Sequence, residues 1–425
     1  MEPIQVQAIR KILEDELRPA MGCTEPIAVA YTAALARELL GVFPQQLTVR
    51  CSGNIIKNVK GATVPNSGGE KGIDTAAILG AVSGRSDLEL EVLSVIGPSE
   101  LEQALELRRQ GMCQYFLAEG VPNLYIEITA SAGSDTAVVA IQDSHTNLVK
   151  KEKNGQVLYK KEPDPQQDTS ALAQQYLDVH SILEYAETES LPYLKQLLQQ
   201  QCDCNCAIAQ EGLSRPYGAS VGRTLCQSGN ASDWRISCCA AAAAGSDARM
   251  NGCALPVVIN SGSGNQGVTA SLPVIIYAQE LGATQEMLYR ALVVSNLVTV
   301  HLKTGIGRLS AYCGATSAGC GAGAGITYLY GGKFREIAHT IVNAVAINSG
   351  MICDGAKASC AAKIASAVEA GLLGMQMQMQ NEQFYGGDGI VAKGVENTIS
   401  NVGRLASMGM RQTDQEIVHI MIEGC

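Results

Sequence analysis

Leu124-Tyr-Ile-Glu-Ile-Thr-Ala130, Thr136-Ala-Val-Val-Ala-Ile141 and Thr146-Asn-Leu-Val-Lys-Lys151 follow one another closely, and Lys160-Lys-Glu-Pro-Asp-Pro-Gln-Gln-Asp-Thr169 brings the series to a stop. Each run favours an extended chain, and the short links between them are built from Gly, Asp, Asn and Ser, which reads as strand and turn. Asn154-Gly155 is a hairpin signal, and it leads into a further strand over Gln156–Tyr159. These runs predict an antiparallel meander. The polar stretch with two prolines that follows reads as a domain boundary.

Working outward from the meander, Leu47–Cys51 and Leu90–Ile96 read as further strands, and Asp74–Val82 and Ser99–Gln110 as helices. Residues 45–160 are therefore expected to form a small α/β domain with a mixed sheet. Before it, Gln5–Leu17 and Glu25–Leu40 carry apolar residues at helical spacing, with Thr24 as the N-cap and Pro26 early in the second helix. Residues 1–44 are read as helices packing on the larger domain. From Ser170 to the end the pattern is helical, broken by Gly-rich turns such as Ser261–Gly267 and Gly386–Gly389. The fold class expected is α+β: a large, mostly helical, Gly/Ala-rich domain over 170–425 plus the smaller α/β domain.

Composition narrows the function. The chain has 425 residues, 46% of them hydrophobic, yet aromatics make up only 4% and glycine numbers 44. Such a core is built by close approach of backbones rather than by large side chains. A formal charge of −10 argues against nucleic acid or an anionic membrane as the main partner. No signal peptide is visible, and no run reaches the ~18 apolar residues of a membrane span. Polar residues such as Ser246-Asp247, His301 and Lys303 interrupt the longest candidates. Fifteen cysteines in that setting point to a reducing, cytoplasmic environment, where thiols are free, metal-bound or catalytic.

Three of those cysteines stand out: Cys313 in Ala-Tyr-Cys-Gly-Ala, and Cys353 and Cys360 in Ile-Cys-Asp-Gly-Ala-Lys-Ala-Ser-Cys. Three thiolates can hold an iron–sulfur cube by three corners, leaving the fourth iron open as a Lewis acid. In one unbroken helix, residues 353 and 360 would lie roughly 10 Å apart along the axis, too far for one small cluster. A break at Asp354-Gly355 solves this if Asp354 caps a helix that starts just after Cys353. The same residues also fit three buried thiols in a small-residue core, since cysteine is among the most buried residue types.

Cys23 lies where the chain enters a helix, a position that favours thiolate, although a buried thiol beside a capping Thr24 fits equally. Ser144-His145-Thr146-Asn147 could hold a polar substrate or could be an ordinary hairpin loop. Ser52-Gly-Asn54-Ile-Ile-Lys57, with Asn66–Gly72, could cradle a carboxylate or phosphate, but it lacks the nucleotide-binding glycine patterns. Cys202-Asp-Cys204-Asn-Cys206 lacks zinc spacing and reads as helix with incidental thiols.

Taken together, Gly22-Cys23-Thr24-Glu25-Pro26, Gly264-Asn265-Gln266-Gly267, Cys313-Gly314-Ala315 and Cys353-Asp354-Gly355-Ala356-Lys357-x-x-Cys360 resemble the L-cysteine desulfidase family, iron–sulfur lyases related to the α part of bacterial L-serine dehydratases. The resemblance spans nearly the whole chain. It implies that Cys313, Cys353 and Cys360 hold a [4Fe-4S] cluster and that Cys23 acts in catalysis. The reaction implied is α,β-elimination of L-cysteine to sulfide, ammonia and pyruvate, without pyridoxal phosphate. Thr24, Asn54, Lys57, Ser144, His145, Thr146 and Asn147 are the expected substrate-binding residues. Glu25 is likewise an expected substrate-binding residue and, with His145, a further candidate base. Serine dehydratases instead carry Cys-Asp-Pro with a wider gap, so the spacing here sides with the cysteine branch. In some of them a C-terminal cysteine reaches the open iron, which leaves a question at Cys425. An L-serine dehydratase is the nearest alternative. A non-catalytic cluster- or metal-binding regulatory protein is an alternative of another class. A homo-oligomer is the expected assembly.

Overall fold

The computed structural model describes residues 1–161, 169–228 and 233–423. The greater part of the boundary expected at 160–169 and the terminal Cys425 lie outside the described residues.

The first part of the chain runs α1 (Pro3–Glu16), β1 (Pro19–Met21), α2 (Thr24–Leu40), β2 (Gln46–Cys51), α3 (Gly53–Gly61), α4 (Ile73–Ser83), α5 (Pro98–Arg109) and β3 (Cys113–Leu117). The meander follows as β4 (Tyr125–Ala132), β5 (Asp135–Gln142), β6 (Leu148–Lys153) and β7 (Gln156–Lys160). Six strands form one sheet in the order β3-β2-β4-β5-β6-β7. The β2–β3 pair is parallel and the others are antiparallel. Period-two alternation sets the register: Leu47, Ala130 and Ala137 form one buried row, Val49, Ile128 and Val139 the next, and Cys51, Ile126 and Ile141 the third. Helix α2 packs on this face and against α4, and its residues 24–36 are all buried, the polar Thr24, Glu25 and Thr32 included.

The remainder is helical: α6 (Thr169–Tyr176), α7 (Val179–Thr188), α8 (Leu191–Ser214), α9 (Val221–Ser228) and α10 (Trp234–Met250). A short strand β8 (Pro256–Val258) precedes α11 (Gly264–Glu280), α12 (Gln285–Ile306), α13 (Gly314–Leu329), α14 (Phe334–Ile347), α15 (Cys360–Met379), α16 (Val395–Arg404) and α17 (Arg411–Glu423). This is the α+β architecture expected. The Cys202–Cys206 segment continues α8, as its pattern suggested.

Small residues set the helix spacing. A Cβ on Gly319 would lie 2.1 Å from the Ala367 carbonyl oxygen, and one on Gly371 would lie 2.1 Å from the Gly319 oxygen. Gly319 and Gly323 on α13 therefore meet Ala367 and Gly371 on α15 backbone to backbone. No described helix is long and apolar enough to cross a membrane.

Two local expectations are corrected. Leu90–Ile96 is not a strand: Ser86–Glu91 is a 3₁₀ helix, and the turns Ser94 N–H to Glu91 O (2.8 Å) and Ile96 N–H to Leu93 O (3.2 Å) continue it. Leu90, Val92, Leu93 and Ile96 are buried, a set that includes two adjacent residues and so does not alternate as a half-buried strand would. The residue in the N-cap position of α2 is Cys23, not Thr24, whose hydroxyl donates instead to Gly262 O at 3.0 Å.

Candidate active site

Pairings distant in sequence assemble the site. Strands β1 and β8 pair antiparallel, Pro19 opposite Val258 and Met21 opposite Pro256, which brings the start of α2 beside the loop before α11. An isolated bridge between Tyr312 and Ile352, with Cys313 N–H to Met351 O (2.9 Å) and Cys353 N–H to Ala311 O (2.7 Å), sets Cys313 beside Cys353. The chain does break between Cys353 and Cys360, but helix α15 starts only at Cys360 itself. Asp354 caps nothing: its carboxylate takes Lys357 and Lys363. Gly355, at φ +99°, passes so close to α3 that a Cβ there would lie 2.4 Å from Lys57 O.

Cys23 and Cys313 occupy the N-cap positions of α2 and α13, and Cys360 opens α15, with no side-chain cap at any of the three ends. Three helix N-termini thus present free amides and positive dipole ends to the thiols. The thiols of Cys313 and Cys353 interact directly, which draws Cys353 toward thiolate and pushes Cys313 up. The charges of Lys57 and Lys303 add to the pull on Cys353. Burial lowers Lys303 to about 8. Cys360 feels both other cysteines through their charge and packs with Cys23, Ala62 and Met250.

Around Cys23 the groups are tightly linked. Its thiol donates to Glu25 Oε2 at 3.0 Å, and Asn58 Nδ2 donates to Glu25 Oε1 at 3.2 Å. His145 Nε2 stands 3.9 Å from Glu25 Oε1, beyond hydrogen-bond reach, so the contact is electrostatic and Nε2 has no hydrogen-bond partner. Burial alone would raise Glu25, but His145, the Cys23 thiol and Arg249 outweigh it and hold the carboxylate near 2. Cys23 goes the other way: burial, then the Glu25 charge, push it well above its ordinary value, so here it is a neutral donor rather than the thiolate that its position suggested.

Of the Ser144–Asn147 turn, only His145 reaches Glu25. Asn147 bonds within its own turn to Gln142 O (2.8 Å) and takes Lys161, while Thr146 receives Arg18. Ser144 and Thr146 line an open cavity of about 1400 Å³ that touches the site at His145 and Gly262; the cysteine thiols are not among its walls. Asn54 and Lys57 both bond Asp414 of α17, each at 2.6 Å. They lie on α3, a helix that the sequence reading left unassigned, where Asn54, Lys57, Asn58 and Gly61 form one face. Residues not expected are Asn58, Arg249, Gln266 and Lys303. Gln266 lies in the Gly264–Gly267 motif, and the others carry no sequence signal beyond a polar residue within a helix.

Among the described residues no three His, Cys, Asp or Glu side chains converge on the position of a single ion. A cube takes its thiolates at separate corners, a wider arrangement than one ion needs. The donor set of Cys313, Cys353 and Cys360, set among helix N-termini, Lys57 and Lys303, suits such an anionic group.

A model of the serine dehydratase alpha chain family matches residues 88–419. Among curated proteins, the chain is 52% identical over 420 residues to a UPF0597 protein of Desulfitobacterium hafniense, covering 99% of this chain and 97% of that one. It is 47% identical over 411 residues to a UPF0597 protein of Lachnoclostridium phytofermentans, with 97% and 98% covered. A UPF0597 protein of Fusobacterium nucleatum is 42% identical over 424 residues, with 98% and 99% covered.

Proposed function

Because the chain belongs to the serine dehydratase alpha chain family, we propose that it is a lyase that eliminates the β-substituent of a small α-amino acid, and that L-cysteine is the substrate. The observation that carries this reading is the grouping of Cys313, Cys353 and Cys360 with the buried Cys23–Glu25 pair. Cys313, Cys353 and Cys360 would hold a [4Fe-4S] cluster, which would supply a Lewis acid for the departing sulfur.

The chain's own residues account for the remaining work. Cys23, 1% exposed, is placed to carry the α-proton as thiolate once the proton it holds in the resting site has left to solvent, and Glu25 Oε2 at 3.0 Å, held near 2, orients the thiol rather than taking that proton. Asn58 and His145 fix the carboxylate from its other side. Thr24, tied to Gly262 O, holds the start of α2 against the loop before α11. Loss of the α-proton and of the β-thiol leaves aminoacrylate, which water converts to pyruvate and ammonia. The balance is L-cysteine plus water to sulfide, ammonia and pyruvate.

The family match supports a second reading, L-serine dehydration at the same site, with water as the leaving group. The Gly22–Pro26 segment and the short gap from Cys353 to Cys360 favour cysteine. Anaerobically reconstituted protein should release sulfide from L-cysteine at a kcat/KM at least about tenfold that of pyruvate formation from L-serine, a gap of about 1.4 kcal/mol. The reverse order would make it a serine dehydratase, and no turnover of either would remove the lyase reading.

A further inference from the structure

Arg249 closes α10 and is only 2% exposed, yet no carboxylate among the described residues pairs with it. Its Nη1 donates to Asn265 Oδ1 at 3.0 Å, and its Nε has no partner. Ionised Glu25 acts on Arg249 through charge without touching it, and a buried guanidinium with no anion in contact is costly and suited to receive one. The surroundings point the same way. Arg249 lies against the first turn of α11: a Cβ on Gly264 would sit 2.3 Å from Nε, so only glycine leaves room for the side chain. That helix has 17 residues, and Ser263, at its N-cap position, makes no side-chain cap bond, which leaves its first amides without intrahelical acceptors.

The place is next to the chemistry. The neighbour Met250 packs with Cys23 and Cys360, and the charge of Arg249 is felt at Cys23, Glu25 and Cys360. Gln266, on the same first turn, is buried with its Oε1 unpaired, and its side chain abuts Gly314 directly after Cys313. An unpaired donor and an unpaired acceptor, both buried, flank the cysteines on one side.

We propose that Arg249, backed by the N-terminus of α11, receives the α-carboxylate of the amino-acid substrate, and that Gln266 Oε1 accepts from its ammonium group. The proposal rests on the amino-acid lyase reading and adds the part of the substrate on which the protein takes hold. It shifts that role away from Lys57 and Asn54, which Asp414 already engages. With the carboxylate on Arg249, the α-carbon is held on the Cys23 side of the site.

The test compares two non-reacting ligands by calorimetry on the anaerobically reconstituted protein: L-alanine, and ethylamine, which is the same skeleton without its carboxylate. Wild type should bind L-alanine about 10- to 100-fold tighter than ethylamine, the span of a charge-assisted bond to a buried group. Arg249→Gln should abolish that preference while the iron content stays at the wild-type level. Gly264→Ala, which pushes the guanidinium aside without removing its charge, should reduce the preference too and serves if the first variant does not fold. In turnover of L-cysteine, both changes should act more on KM than on kcat. A wild-type preference that persists in Arg249→Gln and in Gly264→Ala overturns the proposal. So does loss of iron with the preference intact, because Arg249 would then be a counter-charge to the thiols. A wild type that binds L-alanine tightly but turns over neither amino acid would sink the lyase reading and leave the Arg249 assignment standing.

Discussion

Cys23, Cys313 and Cys360 each stand where a helix begins, and this placement gives three scattered thiols one electrostatic character. Burial and neighbouring charge nevertheless raise all three, and it is Cys353, at no helix start, that goes the other way. Cys353 beside Cys313 and two lysines is drawn toward thiolate, whereas Cys23 beside Glu25 keeps its proton. A separate buried group provides a residue-scale prediction. Asp247 in α10 is fully buried; its Oδ2 accepts from Gly222 N–H at 2.9 Å and its Oδ1 has no partner. Burial raises it from 3.8 to about 6. The folded state therefore holds this proton more tightly than the unfolded state, and stability falls as pH rises from about 4 to about 6. Above that window the ionised carboxylate costs up to about 3 kcal/mol. Asp247→Asn should raise the thermal midpoint at pH 8 and make little difference at pH 4. An equal shift at both pH values would show that burial of the charge is not the cause.

At the scale of elements, the crossing of α13 and α15 fixes two of the three proposed ligands, because Cys313 and Cys360 stand at the N-terminal ends of these helices. Gly371→Ala would force a Cβ to 2.1 Å from the Gly319 oxygen, so the helices must separate. Urea unfolding should show a loss of about 1–3 kcal/mol, the usual cost of overpacking. Unchanged stability would mean that the crossing is looser than described. The meander was legible because its alternation matches the pleat, as the rows Val49–Ile128–Val139 and Cys51–Ile126–Ile141 show. Helix α3 was not: Gly53, Asn54 and Asn58 are poor helix formers, and the helix is held by its contacts, Asn54 and Lys57 to Asp414 and Asn58 to Glu25. The stretch Leu90–Ile96 has the β-branched composition of a strand, but Val92 and Leu93 are adjacent and both buried, which a half-buried strand does not allow.

At the scale of the whole molecule, the site exists because distant segments return to one place. The pairing of β1 with β8, the bridge between Tyr312 and Ile352, and the contact of α17 with α3 each join segments that sequence reading treats separately. Cysteines 313, 353 and 360 were identifiable by motif, and Cys23 by its helix start. Arg249, Asn58 and Lys303 were not, and Gln266 was visible only as part of the Gly264–Gly267 motif, since a polar residue in a helix gives no sign of which partner it will meet. Lys57 illustrates this: fully buried, it gains meaning only once Asp414 and Cys353 are seen on either side of it.

In the proposed enzyme Cys313, Cys353 and Cys360 hold one cluster, and Cys23, packed against Cys360, is not a ligand to it. The direct measurement is iron and acid-labile sulfide per chain after anaerobic reconstitution of wild type, Cys313→Ser, Cys353→Ser, Cys360→Ser and Cys23→Ser. Wild type and Cys23→Ser should each take up about four of both, and each of the other three should hold less than about half of that. Wild type taking up neither, or Cys23→Ser losing as much iron as Cys353→Ser, would contradict it.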